Sequence, residues 1–475
     1  MKIPKVGKTP EEILETLQQF KQHDLAWRDG RVLAYVYDAG QDVESIVKQA
    51  FTMYLSENAL DPTTFPSTLH MERDIMRMTA NLLRGDENVV GNVSTGGTES
   101  IMLAVKTARD WAKAEKGITQ PEMVLSQTAH AAFHKAAHYL GVKLRIVPFQ
   151  PDTYQADVAA MKTAVNENTI LLVASAPCYS HGVMDDVPAI AALAQKHDIL
   201  CHVDACIGGF QLSFMRLLGY DVPPFDFTVP GVTSISIDVH KYGYAAKGAS
   251  VILYRSKEIR RHQIFSCLST TAYAIINPTV LSTKSGGPLA GAWAALNYLG
   301  EDGYLRITKE VADATRTLIE GINAMPDLYV LGQPAMCIFA LESDTINVFQ
   351  LADVMRSKGW YVQPQFSADP LHPNIHITVN QSTVPHVADF LRDLAEGVAE
   401  TKKLDQLDMA FVKMQIDGLL GGLPPEEIAT SLYQLAGISG SELPEDTAFI
   451  NAVLNVLPKP IAENLLLEYF NDLYA

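Results

Sequence analysis

The 475-residue chain is predicted to fold as an α/β protein, with a large, mainly parallel twisted sheet followed by a smaller α+β layer. Two observations predict this. Up to about residue 255, short apolar runs rich in branched residues alternate with Ala-rich stretches of helical period. Strands buried on both faces and joined by helices pair in parallel. After the break at Ser285-Gly286-Gly287-Pro288 the order changes to helix, strand, strand, helix, strand, strand, helix through about Lys403.

Taken in order, Thr9-Pro10-Glu11-Glu12 reads as a helix start, with Thr9 as cap, Pro10 in the first turn and Glu12 closing a capping box. That helix is expected to run towards Trp27, followed by extended chain over Val32–Tyr37, helix from about Val43 to Leu55 and loop over Ala59–Ser67. Met71–Leu83 is helical by period, and a probable strand precedes Ser94. The strand-like runs are Met123–Leu125, Leu144–Val147, Thr169–Ala174, Ile199–Val203, Ser234–Ile237 and Ala249–Tyr254. The helices between them are Glu99–Lys116, Ala132–Leu140, Ala156–Glu167 and Val187–His197. No crossover helix fits between the last two runs, so the final one can return antiparallel. A long helix leads out from Leu289, and Tyr329–Leu331, Cys337–Leu341, Tyr361–Gln365 and His376–Val379 supply the strands of the smaller layer. The tail is mostly helical, with Pro424, Pro425, Pro444, Pro458 and Pro460 as breakers. The division expected is an arm over 1–66, a large domain over 67–299, a small one over 300–403 and a helical extension over 404–475.

Composition narrows the function. Hydrophobic residues at 48% against charged residues at 19% supply a core and exclude wholesale disorder. A net charge of −17 repels phosphate backbones and anionic lipid surfaces, so neither nucleic acid nor a membrane is an expected partner. The five cysteines Cys178, Cys201, Cys206, Cys267 and Cys337 are scattered, which argues against disulfides or a zinc ribbon and for a cytoplasmic protein. No signal peptide or membrane anchor is expected, and no metal site.

Four local features carry chemistry. Ser94-Thr95-Gly96-Gly97-Thr98-Glu99-Ser100 opens a helix and offers free backbone N–H groups to an anion, yet lacks the Lys of a P-loop. His202-Val203-Asp204-Ala205 places a carboxylate at a strand end. Asp238-Val239-His240-Lys241-Tyr242-Gly243-Tyr244 places a lysine at another, where desolvation is expected to lower its pKa and make it nucleophilic. His130 follows a third strand. Singly, these read as a Gly-rich loop, a capping Asp, a solvated lysine and a structural histidine. Together, in that chain order, they fit pyridoxal phosphate: the loop for its phosphate, Asp204 for its ring nitrogen, Lys241 for its aldehyde, and His130 flat against the ring.

Gly91–Ser100, Thr128–Lys135, His202–Gly209 and His240–Gly248 resemble the group II pyridoxal-phosphate decarboxylase family of fold type I. Within it the likeness is nearest to the sphingosine-1-phosphate lyases, and it runs from about Arg31 to Val379. The resemblance implies that Lys241 binds the cofactor covalently and that Asp204 and His130 hold its ring. It also implies that Gly97, Thr98 and His240 hold its phosphate, and that Tyr179 lies near the reacting centre. In the lyases a second lysine follows the first by six positions; Lys247 stands there, and with Tyr37 and Asn58 it matches the set that receives the substrate's own phosphate. A buried lysine beside hydroxyl and amide donors suits that task.

The function expected is cleavage of the C2–C3 bond of a phosphorylated sphingoid base to a long-chain aldehyde and ethanolamine phosphate. The alternative is decarboxylation of an acidic or aromatic L-amino acid, and a homodimer with shared active sites is implied in either case. The sequence departs from the lyase pattern at Lys284, where an Arg is usual in a loop reaching the neighbouring subunit, and at Asp61, where a His is usual. The tail beyond about residue 404 carries no resemblance.

Overall fold

The computed structural model describes residues 2–269, 274–368, 371–422, 431–432 and 446–474. Its main sheet is built from β1 (Val90–Ser94), β2 (Glu122–Ser126), β3 (Lys143–Val147), β4 (Thr169–Ser175), β5 (Leu200–Asp204), β6 (Ser234–Asp238) and β7 (Ser250–Tyr254), in the order β1-β7-β6-β5-β4-β2-β3. Strand β7 runs antiparallel to both β1 and β6, and the other neighbours are parallel. The short return from β6 to β7 is therefore the antiparallel hairpin that the spacing predicts.

Side chains alternate across this sheet and feed two cores. From β2 and β4, Val124, Leu172 and Ala174 point to one face, and Met123, Leu125 and Val173 to the other. The second face is covered by α4 (Gly97–Lys116) and α5 (Ala132–Leu140). The first is covered by α7 (Val187–Lys196), α8 (Gly208–Leu217) and the long α10 (Gly286–Asn323), which bends at Gly300. Of the earlier helices, α1 spans Pro10–Phe20, α2 Gln41–Met53 and α3 Pro66–Leu82; the short α6 spans Val158–Ala164 and α9 Lys257–Arg260. Among the described residues no helix is long and apolar enough to cross a membrane.

The smaller sheet follows a two-stranded ribbon of β8 (Phe265–Cys267) and β9 (Ile275–Asn277). It comprises β10 (Tyr329–Val330), β11 (Ile338–Glu342), β12 (Gln363–Gln365) and β13 (Asn374–Thr378), antiparallel in the order β10-β11-β13-β12. Helices α11 (Val348–Ser357) and α12 (Val387–Thr401) accompany it, and α13 (Met409–Gly422), α14 (Ala448–Val456) and α15 (Lys459–Leu473) complete the chain. The last helices are packed into the structure. Val412, Ile416, Ala452, Val453 and Leu465 join the same apolar cluster as Phe349 and Met355 of α11. Asp353 of α11 accepts from Ala448 N at 2.7 Å and caps the start of α14, and Asn455 Oδ1 accepts from Ser367 N at 2.6 Å.

Several elements differ from expectation for identifiable reasons. Helix α3 begins at Pro66, inside the expected loop, because a proline in the first turn lacks only an N–H that has no intrahelical partner there. Helix α6 is shorter than expected because Asp157 caps it, accepting from Ala160 N. The expected helices include none between β5 and β6, where α8 stands, opening on Gly208-Gly209. The close approach that needs these glycines is visible: a Cβ on Gly208 would lie 2.1 Å from Ala176 O, and one on Gly209 2.6 Å from Ile237. The expected extended segment Val32–Tyr37 is limited to pairing at Val32 and Leu33, since Tyr35 takes a left-handed φ of 62°. Pro458 and Pro460 fall at the expected break, where α14 ends and α15 begins; Pro424, Pro425 and Pro444 lie outside the described residues.

Candidate active site

The carboxyl ends of β4, β5 and β6 and the first turn of α4 face one cavity of about 220 Å³. Seven of the residues singled out in the sequence line it: Gly97, Thr98, His130, Tyr179, Asp204, His240 and Lys241.

The loop before α4 is held open by its own side chains. Glu99, buried in the first turn, accepts from Thr95 N and Thr95 Oγ1, both at 2.6 Å, while its other oxygen accepts from Val280 N at 2.7 Å. Ser94, Ser100 and Ser250 form a buried hydroxyl chain beneath it, with links of 2.7 and 2.8 Å. These contacts leave Gly97 and Thr98 at the cavity wall with the unpaired N–H groups of a helix start. Gly97 has to be glycine, because a Cβ there would come within 2.6 Å of Asp238 Oδ2 and 3.0 Å of Cys206 Sγ.

Pairing of β5 with β6 sets Asp204 beside Ser236 and His202 beside Ser234. The buried Asp204 takes Cys206 N on Oδ1 at 3.1 Å, with Ser236 Oγ at 3.5 Å. Behind it His202 bridges Ser234 Oγ at 2.9 Å and Ser236 Oγ at 3.1 Å, and burial lowers its pKa to about 4. A neutral imidazole thus positions Ser236, which with Cys206 N orients the carboxylate. On the opposite side, His130 Nδ1 accepts from Ala132 N at 3.1 Å, which leaves Nε2 to carry the proton.

Lys241 corrects one expectation. Burial does act to lower its pKa, but Asp238 opposes this from 3.0 Å away, aided by Cys206, Tyr37 and Asp204, and the net shift is upward. Lys241 beside Asp238 is a held ammonium, not a depressed amine. Asp238 is buried as well; burial works against its charge, but Lys241 and then His240 overcome it and keep the carboxyl below its ordinary range. Sequence reasoning did not single out Asp238. Its signal was available, since it ends β6 as Asp204 ends β5 and stands three residues before the lysine.

Tyr179 donates its hydroxyl to Gln363 Oε1 at 2.8 Å and stacks on His376 with ring centroids 4.3 Å apart. His376 is buried, bonded to Thr378 Oγ1 at 2.9 Å, and lowered to about 4 by burial, so it is a neutral platform. Neither Gln363 nor His376 carries a local sequence signal; the smaller sheet delivers both.

Lys247 and Tyr37 meet next to this cavity, with Nζ 4.6 Å from the ring centroid. Lys247 Nζ also donates to His240 O at 3.2 Å. Protein crowding around the ammonium, and then the Lys241 cation, lower its pKa to about 8, although solvent still reaches the side chain. Asn58 is not brought to this pair: its Oδ1 accepts from Leu60 N at 3.1 Å and Lys284 N at 3.3 Å. Lys284 is itself buried within the chain, donating to Glu72 Oε2 at 2.9 Å and Val93 O at 3.1 Å.

The residues present fit pyridoxal phosphate. His240 Nδ1 is buried with no hydrogen-bond partner among the described residues, in the same cavity wall as a helix start that exposes N–H groups. A phosphate at that point would take both sets of donors, while Asp204 and Lys241 line the same cavity.

Comparison with known proteins agrees with this geometry. The family described as "Pyridoxal-dependent decarboxylase conserved domain" matches residues 3–338. A second family, "Pyridoxal-dependent enzyme, C-terminal putative HTH domain", matches 399–472, so the tail has relatives that its residues did not suggest. A sphingosine-1-phosphate lyase of Arabidopsis thaliana is 42% identical over 89% of this chain and 78% of its own length. The solved structure of a sphingosine-1-phosphate lyase of Burkholderia pseudomallei is 36% identical and superposes with a TM-score of 0.82, covering 89% of this chain and 98% of that one. The glutamate decarboxylase structure of Lactobacillus brevis, 21% identical with a TM-score of 0.76 over 86% of this chain and 96% of its own, shares the fold.

Proposed function

The chain belongs to the pyridoxal-dependent decarboxylase family, and from that membership we propose that it cleaves the C2–C3 bond of a phosphorylated sphingoid base, releasing a long-chain aldehyde and ethanolamine phosphate. It is a pyridoxal-phosphate-dependent lyase. The observation that carries the substrate is its 36–42% likeness to sphingosine-1-phosphate lyases over most of its length. The pair of Lys247 and Tyr37 supports it, since a free amino acid has no phosphate to place there.

In this reading Gly97, Thr98 and His240 hold the cofactor phosphate, Asp204 the ring nitrogen, His130 the ring face, and Lys241 the aldehyde carbon. The bound cofactor supplies an electron sink for a bond at the substrate's Cα. The carboxylate of Asp204, positioned by Cys206 N, would face that ring nitrogen and favour its protonated form. Asp238 holds Lys241 Nζ within the cavity at 3.0 Å, where it can give or take a proton at the reacting carbons. Burial raises the Tyr179 phenol above its ordinary pKa, so beside the β-oxygen it acts as a donor and not as a base. Lys247, still protonated at neutral pH, pairs with the substrate phosphate.

The working unit is a homodimer in which the Asn58 loop completes the site of the second copy. Its support is that Asn58 is tied to Lys284 and does not reach Lys247 in its own chain. A cytoplasmic setting is supported by five unpaired cysteines.

The test is a substrate screen of purified protein with aldehyde and carbon dioxide both measured. Aldehyde from dihydrosphingosine phosphate supports the reading. Carbon dioxide from an acidic or aromatic amino acid, with no aldehyde, would replace it with the decarboxylase.

A further inference from the structure

We infer that the C-terminal helices form the binding site for the substrate's hydrocarbon tail. The inference rests on the lyase reading, which needs an amphiphile: its head is held between Lys241 and Lys247, and its chain must leave the catalytic cavity.

The two cavities are neighbours. Tyr179, in the wall of the catalytic cavity, hydrogen-bonds Gln363 at 2.8 Å, and Gln363 lines a second cavity of about 320 Å³. Tyr35 and Tyr361, with ring centroids 6.2 Å apart, line it as well. Ile450, Val453 and Leu454 of α14 and Leu465 of α15 give it an aliphatic wall, interrupted by Arg356, Thr447, Asn451 and Tyr469. Alkyl groups thus make up much of a cavity that adjoins the catalytic one at Gln363, which suits the hydrocarbon part of a phosphorylated long-chain base.

This wall is a fixed part of the fold. The start of α14 is bonded to Asp353, and Asn455 at its end to Ser367. Burial lowers the pKa of His134 in α5, and the charges of Glu463 and then Lys459 in α15 act on it in opposite directions, so α15 lies in the neighbourhood of α5. A free amino acid ends at Tyr179 and gains nothing from this space. An alkyl chain gains about fourfold in binding for each methylene it withdraws from water.

The test measures kcat/KM for phosphorylated bases of 8 and 18 carbons, below their micelle concentrations. It uses the wild type, Leu454→Trp to fill the cavity and Leu454→Ala to enlarge it. The wild type is expected to prefer 18 carbons by at least about tenfold. Leu454→Trp should erase that preference through KM while leaving the 8-carbon substrate unchanged, and Leu454→Ala should retain the 8-carbon rate. Binding of hexadecyl phosphate, followed by calorimetry on the cofactor-free protein, should weaken by a similar factor in Leu454→Trp. A wild type that makes aldehyde equally well from both lengths overturns the tail site and leaves the lyase reading standing, without reference to any variant. So does a Leu454→Trp enzyme that keeps its 18-carbon preference or loses both substrates alike. No aldehyde at any length overturns the lyase reading and the tail site together.

Discussion

Two lysines six positions apart on one connection have opposite electrostatics. Lys241 has a buried carboxylate 3.0 Å away and its pKa is raised; Lys247 faces the π-cloud of Tyr37 and a neighbouring cation, and its pKa falls to about 8. Burial acts on both and more fully on Lys241, yet it is Lys241 whose pKa rises, so the partner decides. A carboxylate keeps Lys241 an ammonium, whereas Lys247 has no carboxylate within salt-bridge distance among the described residues and suits an incoming phosphate.

The sharpest way to break the contrast is at its covalent end. Lys241→Ala is expected to abolish turnover, and borohydride reduction that labels the wild type at Lys241 should label nothing there. Next comes the stored charge. Asp238→Asn removes the partner of a buried ammonium, a change that costs roughly 3–5 kcal/mol where no water enters. The protonation of the Lys241 nitrogen, followed as a visible absorbance titration of the loaded enzyme, should move down by about one pH unit or more. An unchanged titration would mean that Asp238 is only structural. The smallest effect is at Lys247. Lys247→Ala should raise KM for phosphorylated substrate about tenfold while the cofactor remains bound and visible. Its pH counterpart follows from the sign of the shift: the ammonium that binds phosphate is present below about pH 8 and lost above it, so wild-type kcat/KM falls on that side. A limb that survives in Lys247→Ala would assign it to another group.

The two ends were unequally legible in the sequence. Asp204, Lys241 and His130 stand at strand ends, and the apolar runs before them predict where those ends lie. Lys247 needed the family's spacing, because a lysine before a glycine otherwise reads as surface. Asp238 was passed over because its task depends on Lys241 curling back to it across the turn, a tertiary contact. Gln363, His376 and the aliphatic cavity were out of reach, since they join segments near residues 35, 179, 363 and 450 that only the folded chain brings together. Helix propensity disfavours Gly208-Gly209, yet these residues let α8 approach the sheet, a close contact that only the folded chain shows.

The reversed strand β7 has an evolutionary consequence. Because it returns directly from β6, Lys241 and Lys247, the lysines proposed for the cofactor and for the substrate head group, ride on the single hairpin Val239–Ala249, with no helix intervening. Selectivity at the outer lysine can then diversify by replacing residues within one short cassette, while the sheet that anchors the coenzyme is inherited unchanged.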